Sequence, residues 1–226
     1  MTFKSHQLQN LLSNPADLGK AKDEFFWQKT DGFTVASLSE MLPISSVNIQ
    51  GRLSFLTQHI WKEILPPRIQ FFIWLLARDR ISSNVTLISR GILTSENSKC
   101  DLCEDDESSM HIVLHCKYAW FFWSSLLQKS NLSWVSPSSL DQFFWNWNSL
   151  SSGRHKKLWK LIWFFGIWHL WKARNNRVFN DSIDDIHSLQ FQSIGRTVEF
   201  YRARNHSFEY SGADVFRSLD YFCNYV

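Results

Sequence analysis

A mainly α-helical fold is what this sequence predicts, and three observations predict it. Apolar residues recur at spacings of three and four along several segments, the period of a helix with one buried face. Pro67 and Gly91 stand where a helix starts and where one stops. The third is Cys100-Asp101-Leu102-Cys103, followed by His111 and Cys116, a C-x2-C-x7-H-x4-C arrangement with the spacing of a four-donor zinc site. Together they predict a small zinc-stapled helical module with a short N-terminal β-ribbon and a C-terminal helical extension.

Three thiolates and one imidazole saturate a tetrahedral Zn²⁺ and leave no position for water. A closed shell of this kind ties chain segments together and does not activate a nucleophile. The expectation is one structural zinc held by Cys100, Cys103, His111 and Cys116. The alternative is that these cysteines are small buried hydrophobes and His111 a satisfied polar residue. Clustering argues against it, because the fourth cysteine, Cys223, lies far away near the C-terminus. His115, next to Cys116, is a rival donor. Neighbours on a helix point about 100° apart, so one of the two histidines is expected to reach the ion. The longer gap favours His111 and leaves His115 outside.

Taken in order, residues 1–22 read as a weakly ordered lead broken by Pro15. Phe25-Phe26-Trp27 and Phe33-Thr34-Val35 flank Thr30-Asp31-Gly32, where Asp-Gly supplies the backbone that a hairpin turn requires. Leu53, Leu56, Ile60 and Ile64 form one helix face that ends at Pro66-Pro67. Pro67 can open the next helix, whose run from Ile69 to Ala77 is apolar on nearly all sides and so predicted to be central. Ser82-Ser83-Asn84 caps a short helix from Val85 to Arg90, closed by Gly91.

Glu104-Asp105-Asp106-Glu107 is read as an exposed acidic loop placed at the N-terminus of a His111 helix, where acids are favoured. A helix follows from Tyr118 through Leu127, carrying Trp120, Phe121, Trp123 and Leu127. Ser130 to Gly153, rich in Ser and Asn, reads as a connector with one aromatic helix at Leu140 to Trp147. Lys156 to Phe179 is the longest helical signal. Its apolar part, Leu158 to Trp171, falls short of the roughly 20 residues that a bilayer requires, so it is predicted to be a buried helix. Asp184 is expected to cap a last helix reaching Arg204, and the aromatic tail from Phe208 shows no clear period. The organisation expected is a lead over 1–22, a zinc-bearing domain over 23–128, a connector over 129–153 and a helical region over 154–226.

The residues around the donors resemble the reverse-transcriptase zinc-binding domain of plant non-LTR retroelements. The resemblance rests on Pro66-Pro67-Arg68-Ile69-Gln70-Phe71-Phe72-Ile73-Trp74-Leu75-Leu76, Arg90-Gly91-Ile92, and the four donors with Glu107 before His111. Asp23, Trp27, Asp31-Gly32-Phe33-Thr34-Val35 and Trp61 upstream add to it, as do Trp168-His169-Leu170-Trp171-Lys172-Ala173-Arg174-Asn175 and Phe179 downstream. It covers roughly residues 23 to 180. Lys117 stands where a proline commonly follows the last cysteine, and Ala36-Ser37-Leu38 replaces a more usual Lys-Ser-Ala-Tyr. The resemblance implies a piece of a retroelement polyprotein from between its polymerase and ribonuclease H regions, with nucleic acid as the leading partner.

Aromatic residues make up 16% of the chain, including 12 tryptophans, which predicts an interior of large flat rings. A net charge of +3 is too mild to indicate a nucleic-acid binder by itself. Arg78, Arg80, Arg90, Lys117, Lys172, Arg174 and Arg177 interleave with aromatics, a pattern in which cations neutralise phosphates and rings stack on bases. Ordinary core rings and solvated cations give the same pattern, and an exposed aromatic patch for protein partners is the competing expectation. No Tyr-x-Asp-Asp, G-x-S-x-G or glycine-rich phosphate loop is present, and Asp184-Asp185 reads as a helix start. The chain is expected to be non-catalytic, with no small-molecule substrate and no membrane span. A polar N-terminus without a basic-then-apolar leader predicts an intracellular protein, nuclear or cytoplasmic.

Overall fold

The computed structural model describes residues 59–151 and 153–224. The expected lead, the β-ribbon around Asp31-Gly32 and most of the helix expected from Leu53 lie outside them. Eight α-helices are described: α1 Pro67–Ala77, α2 Asn84–Ser89, α3 Lys117–Lys129, α4 Leu140–Ser149, α5 Lys156–Asn180, α6 Ile186–Arg202, α7 Gly212–Arg217 and α8 Leu219–Asn224. A 3₁₀ turn, Ser95–Asn97, and a π turn, His111–His115, complete the set. No strand occurs among the described residues, where one isolated bridge pairs Lys99 with Asp106.

Local signals set most boundaries. Pro67 opens α1 at the position where a missing N–H costs nothing. The Ser83 side chain accepts from the Thr86 amide to cap α2, and Gly91 turns the chain at φ 71°. The α6 cap is Asp185, one residue beyond the expected Asp184, and its carboxylate accepts from the Ser188 amide at 2.9 Å. Ser211 and Asp214 form a reciprocal capping box on α7.

Packing is organised around α5, which is buried from Leu158 to Arg174 apart from a few edge positions. On one side Phe72 of α1 meets Trp168 and Trp171, at ring-centroid distances of 5.2 and 5.5 Å. On another, Trp147 of α4 stacks on Trp159 of α5, at 4.2 Å and 3°. Each indole N–H of that pair donates to the other residue's carbonyl, at 2.9 and 2.8 Å. Stacking disposes of the apolar surface and the two bonds satisfy the only polar atom that each ring carries into the core. The segment expected to be a connector is therefore core: Phe143, Phe144 and Trp147 are all buried. The aromatic tail also folds back, burying Phe208, Val215, Leu219, Phe222 and Cys223.

Helix α1 corrects the expectation of a central helix apolar on nearly all sides, and α3 is one-sided too. In α3 the inward side is Ala119, Phe122, Trp123, Leu126 and Leu127; Phe121 falls on the opposite arc and Trp120 at the edge of the buried face. In α1 the inward side is Ile69, Phe72, Ile73 and Leu76, and Phe71 is left 54% exposed. α1 is thus a flanking helix, with one buried face. No helix among the described residues is long and apolar enough to cross a membrane.

Gly166 of α5 faces two rings of α3. A Cβ there would run into the Trp123 ring and come within 3.2 Å of Phe122. Gly166→Ala gains about 1 kcal/mol of helix propensity but overpacks a core in which such insertions cost roughly 1–3 kcal/mol. A net loss is expected, lowering the melting temperature by about 2–4 °C for each kcal/mol. A raised melting temperature in calorimetry would show that the two helices have slack.

Candidate metal centre

The first two donors stand in a tight knuckle. The Cys100 amide donates to the Asp105 carbonyl at 2.8 Å and the Glu104 amide to the Cys100 carbonyl at 3.0 Å, with Glu104 in the left-handed region at φ 61°. Both sulfurs thereby face one point. The acidic loop pins the base of the knuckle: Asp106 accepts from Ser98 at 2.7 Å and pairs with Lys99 at 3.0 Å. These contacts, Ser98 before Lys99, hold its carboxyl below the usual range.

The second two donors come from the π turn. In a regular helix His111 and Cys116, five residues apart, would diverge by about 140°. Here the Cys116 amide bonds to the His111 carbonyl at 2.8 Å, a wider loop that narrows the divergence, and Cys116 turns extended before α3 begins. The wide turn is held in place by Trp123, whose indole N–H donates to the Val113 carbonyl at 2.8 Å. A π turn inside a helical segment often marks a functional site.

The donor atoms of Cys100, Cys103, His111 and Cys116 all lie within 4.8 Å of one another. Cys100–Cys116 and Cys103–Cys116 sulfurs are 3.9 Å apart, and Cys103 sulfur lies 3.2 Å from His111 Nε2. Zinc bonds of about 2.3 Å to sulfur and about 2.0 Å to nitrogen give tetrahedral edges of roughly 3.5–3.8 Å. The set fits a metal ion, and the sulfurs are far beyond the roughly 2.05 Å of a disulfide. Soft thiolates with one imidazole suit zinc. His115 turns away, with Nε2 at 3.0 Å from the Pro137 carbonyl. Among the described residues these four are the group of three or more His, Cys, Asp or Glu that come together.

Electrostatics show what a cation meets. The Cys100 thiol is pushed up to about 11, first by its hydrogen bond to Cys116 and then by burial. The same bond holds Cys116 below its ordinary value. Zinc takes up thiolates, so metal loading releases the protons of these thiols and weakens as pH falls.

Behind the centre lies a feature that the sequence reading missed. Glu107, expected in an exposed loop, is 1% exposed. Its carboxylate accepts from Arg174 Nε at 3.1 and 3.2 Å and from Nη2 at 2.5 Å. The Asn84 amide reaches Glu107 at 3.4 Å and the Asn84 side-chain oxygen accepts from Arg174 at 3.1 Å, so α2, the knuckle and α5 meet at one carboxylate. Arg177 stands 3.9 Å from both Asp101 and Glu107. Arg174, read from the sequence among the exposed cations, is therefore buried, and Arg177 is half-buried beside it, both turned toward carboxylates. A hint was available in Glu107 preceding His111, but a partner 67 positions downstream leaves no periodic trace. The other candidates stay exposed. Arg78 lies over Trp74 at 4.3 Å, Arg90 donates to the Arg80 carbonyl at 3.0 Å, and Lys117 and Lys172 face solvent.

Residues 33–123 match the family model described as zinc-binding in reverse transcriptase, the family that the residues around the donors resemble. The chain is also 27% identical over 190 residues to an Arabidopsis thaliana protein named "Putative ribonuclease H protein". That match covers 82% of this chain and 30% of that protein, so the chain spans less than a third of the relative's length. No solved structure matches.

Proposed function

We propose that this chain is a non-catalytic, zinc-stabilised module of retroelement origin that binds nucleic acid. The observation that carries the reading is the four-donor cluster, brought together inside the segment that matches a zinc-binding family. Bound zinc supplies a cross-link between the knuckle and the π turn. Four protein donors fill its coordination shell, so no metal-held water is available for hydrolysis. Reduced, metal-ready cysteines fit an intracellular setting, nuclear or cytoplasmic.

Support for a nucleic-acid partner comes from the exposed cations. Arg78, Arg80, Arg90, Lys117 and Lys172 remain at the surface, with half-exposed rings such as Trp61 and Phe71 among them. The exposed aromatics favour a second reading, a protein-interaction module from a domesticated fragment. Metal-loaded protein titrated with labelled RNA and DNA across a salt series separates the two. Expected is binding that weakens steeply as salt rises, with no cleavage or extension of the strand in the presence of Mg²⁺. Salt-independent behaviour, or turnover of the substrate, overturns the proposal.

A further inference from the structure

The outward side of α1 carries an arrangement that the zinc centre does not use. Phe71, Trp74 and Arg78 follow one another at spacings of three and four, opposite the buried Ile69, Phe72, Ile73 and Leu76. Phe71 stacks on Trp74 at 5.7 Å and 23°, Trp61 stands edge-on to Trp74 at 6.4 Å, and the Arg78 guanidinium lies 4.3 Å over the Trp74 ring. Trp74 is thus clamped, and the two rings beside it are each 54% exposed. Rings fixed before a ligand arrives lose little freedom on binding.

The turn that supplies Trp61 also supplies Lys62, Glu63 and Ile64 to a groove of about 380 Å³, completed by Lys157, Lys160 and Arg204. Glu63 pairs with Lys160 at 2.6 Å, which leaves the groove net positive. Arg68 is exposed on α1 as well, and Asp79 is the acid at that helix's exit. Large exposed rings bordered by an excess of cations complement a ligand with flat apolar faces on an anionic backbone. That is single-stranded nucleic acid, whose bases are free to stack, and not a duplex, whose bases already do. A protein partner would instead call for an apolar patch without this excess.

We infer that Trp61 and Phe71, held by Trp74 and Arg78, form a stacking platform for single-stranded nucleic acid, with the backbone led into the groove lined by Lys157 and Arg204. This rests on the nucleic-acid reading above and locates its contact surface. The test is fluorescence anisotropy on the full, metal-loaded chain with labelled oligo(U), oligo(dT) and a matching duplex. Trp61→Ala and Phe71→Ala are each expected to weaken single-strand binding by about tenfold, with metal content and melting temperature retained. Lys157→Ser should lower the salt slope by about 0.7. Phe179→Ala, the loss of a 76% exposed ring elsewhere, should change nothing. Undiminished binding by both ring variants overturns the platform while leaving the nucleic-acid reading intact. Absence of binding to any probe at low salt overturns both. Self-association that Phe71→Ala abolishes, without oligonucleotide binding, shows that the face docks protein and overturns the inference.

Discussion

Cys103→Ser will cost the purified protein its bound zinc and most of its stability, while Cys223→Ser keeps about one zinc per chain. The contrast follows from where the two sulfurs sit. Cys103 lies 3.2 Å from His111 Nε2 and 3.9 Å from Cys116 Sγ, one corner of the four-donor set. Cys223 is buried at the end of the chain, 3.7 Å from the Ser130 hydroxyl, and burial pushes its thiol up to about 12. It is a small packed hydrophobe, and a serine there gains a nearby hydroxyl partner. Structural zinc contributes on the order of 10–16 kcal/mol in finger peptides, against a typical net stability of about 5–15 kcal/mol. Loss of the centre therefore removes a quantity as large as the whole margin. At about 2–4 °C per kcal/mol for a chain of this size, the melting temperature should fall by tens of degrees. Exhaustive chelation of the parent protein should do the same, with loss of the near-ultraviolet signal of its packed tryptophans. Metal analysis and circular dichroism decide it. A Cys103→Ser protein that retains one zinc and its melting temperature would show that the four donors do not share an ion.

The donors were legible in the sequence because a metal site leaves a local trace. C-x2-C is set by the reach of one knuckle, and His111 and Cys116 follow within a single helical turn region. Helix α5 was legible from its length and from the dense apolar content of Leu158 to Trp171, a run too short for a bilayer and therefore a buried helix. What escaped was set by neighbours distant in sequence. Phe71 and Phe72 are identical in composition and adjacent, yet one faces solvent and the other Trp168 and Trp171. Only the position of α5 distinguishes them. Likewise the reading of 129–153 as a connector followed from its Ser and Asn content. Three aromatic side chains, Phe143, Phe144 and Trp147, outweighed that content once Trp147 had Trp159 to stack on. Arg174 and Glu107 show the same limit for charge, because a surface cation and a buried one are written with the same letter.

That pair gives the second large expected effect. Glu107→Gln or Arg174→Met, made singly, should each destabilise the protein by about 3–5 kcal/mol, since each strips the other buried charge of its hydrogen-bonded partner, Arg177 standing off at 3.9 Å from Glu107. The geometry places the pair in this regime: Glu107 and Arg174 side chains are 2% and 7% exposed, and the guanidinium makes several charge-assisted bonds to one carboxylate. Glu107→Gln combined with Arg174→Met should cost less than the sum of the two single losses, because the second change removes the orphaned charge that the first creates. Arg174→Lys is not a rescue, as an ammonium cannot span Glu107 and Asn84 with one planar fork. The same carboxylate joins the knuckle to α5, so weaker metal binding, by about 10–100-fold, should accompany the stability loss. Denaturant titration of the two single variants and the double variant, with zinc competition by a chelator, measures both effects. Were Arg174→Met to weaken oligonucleotide binding while leaving stability and zinc affinity unchanged, Arg174 would be a surface contact after all. The assignment of Glu107 as the point tying the metal centre to the helical core would then fail.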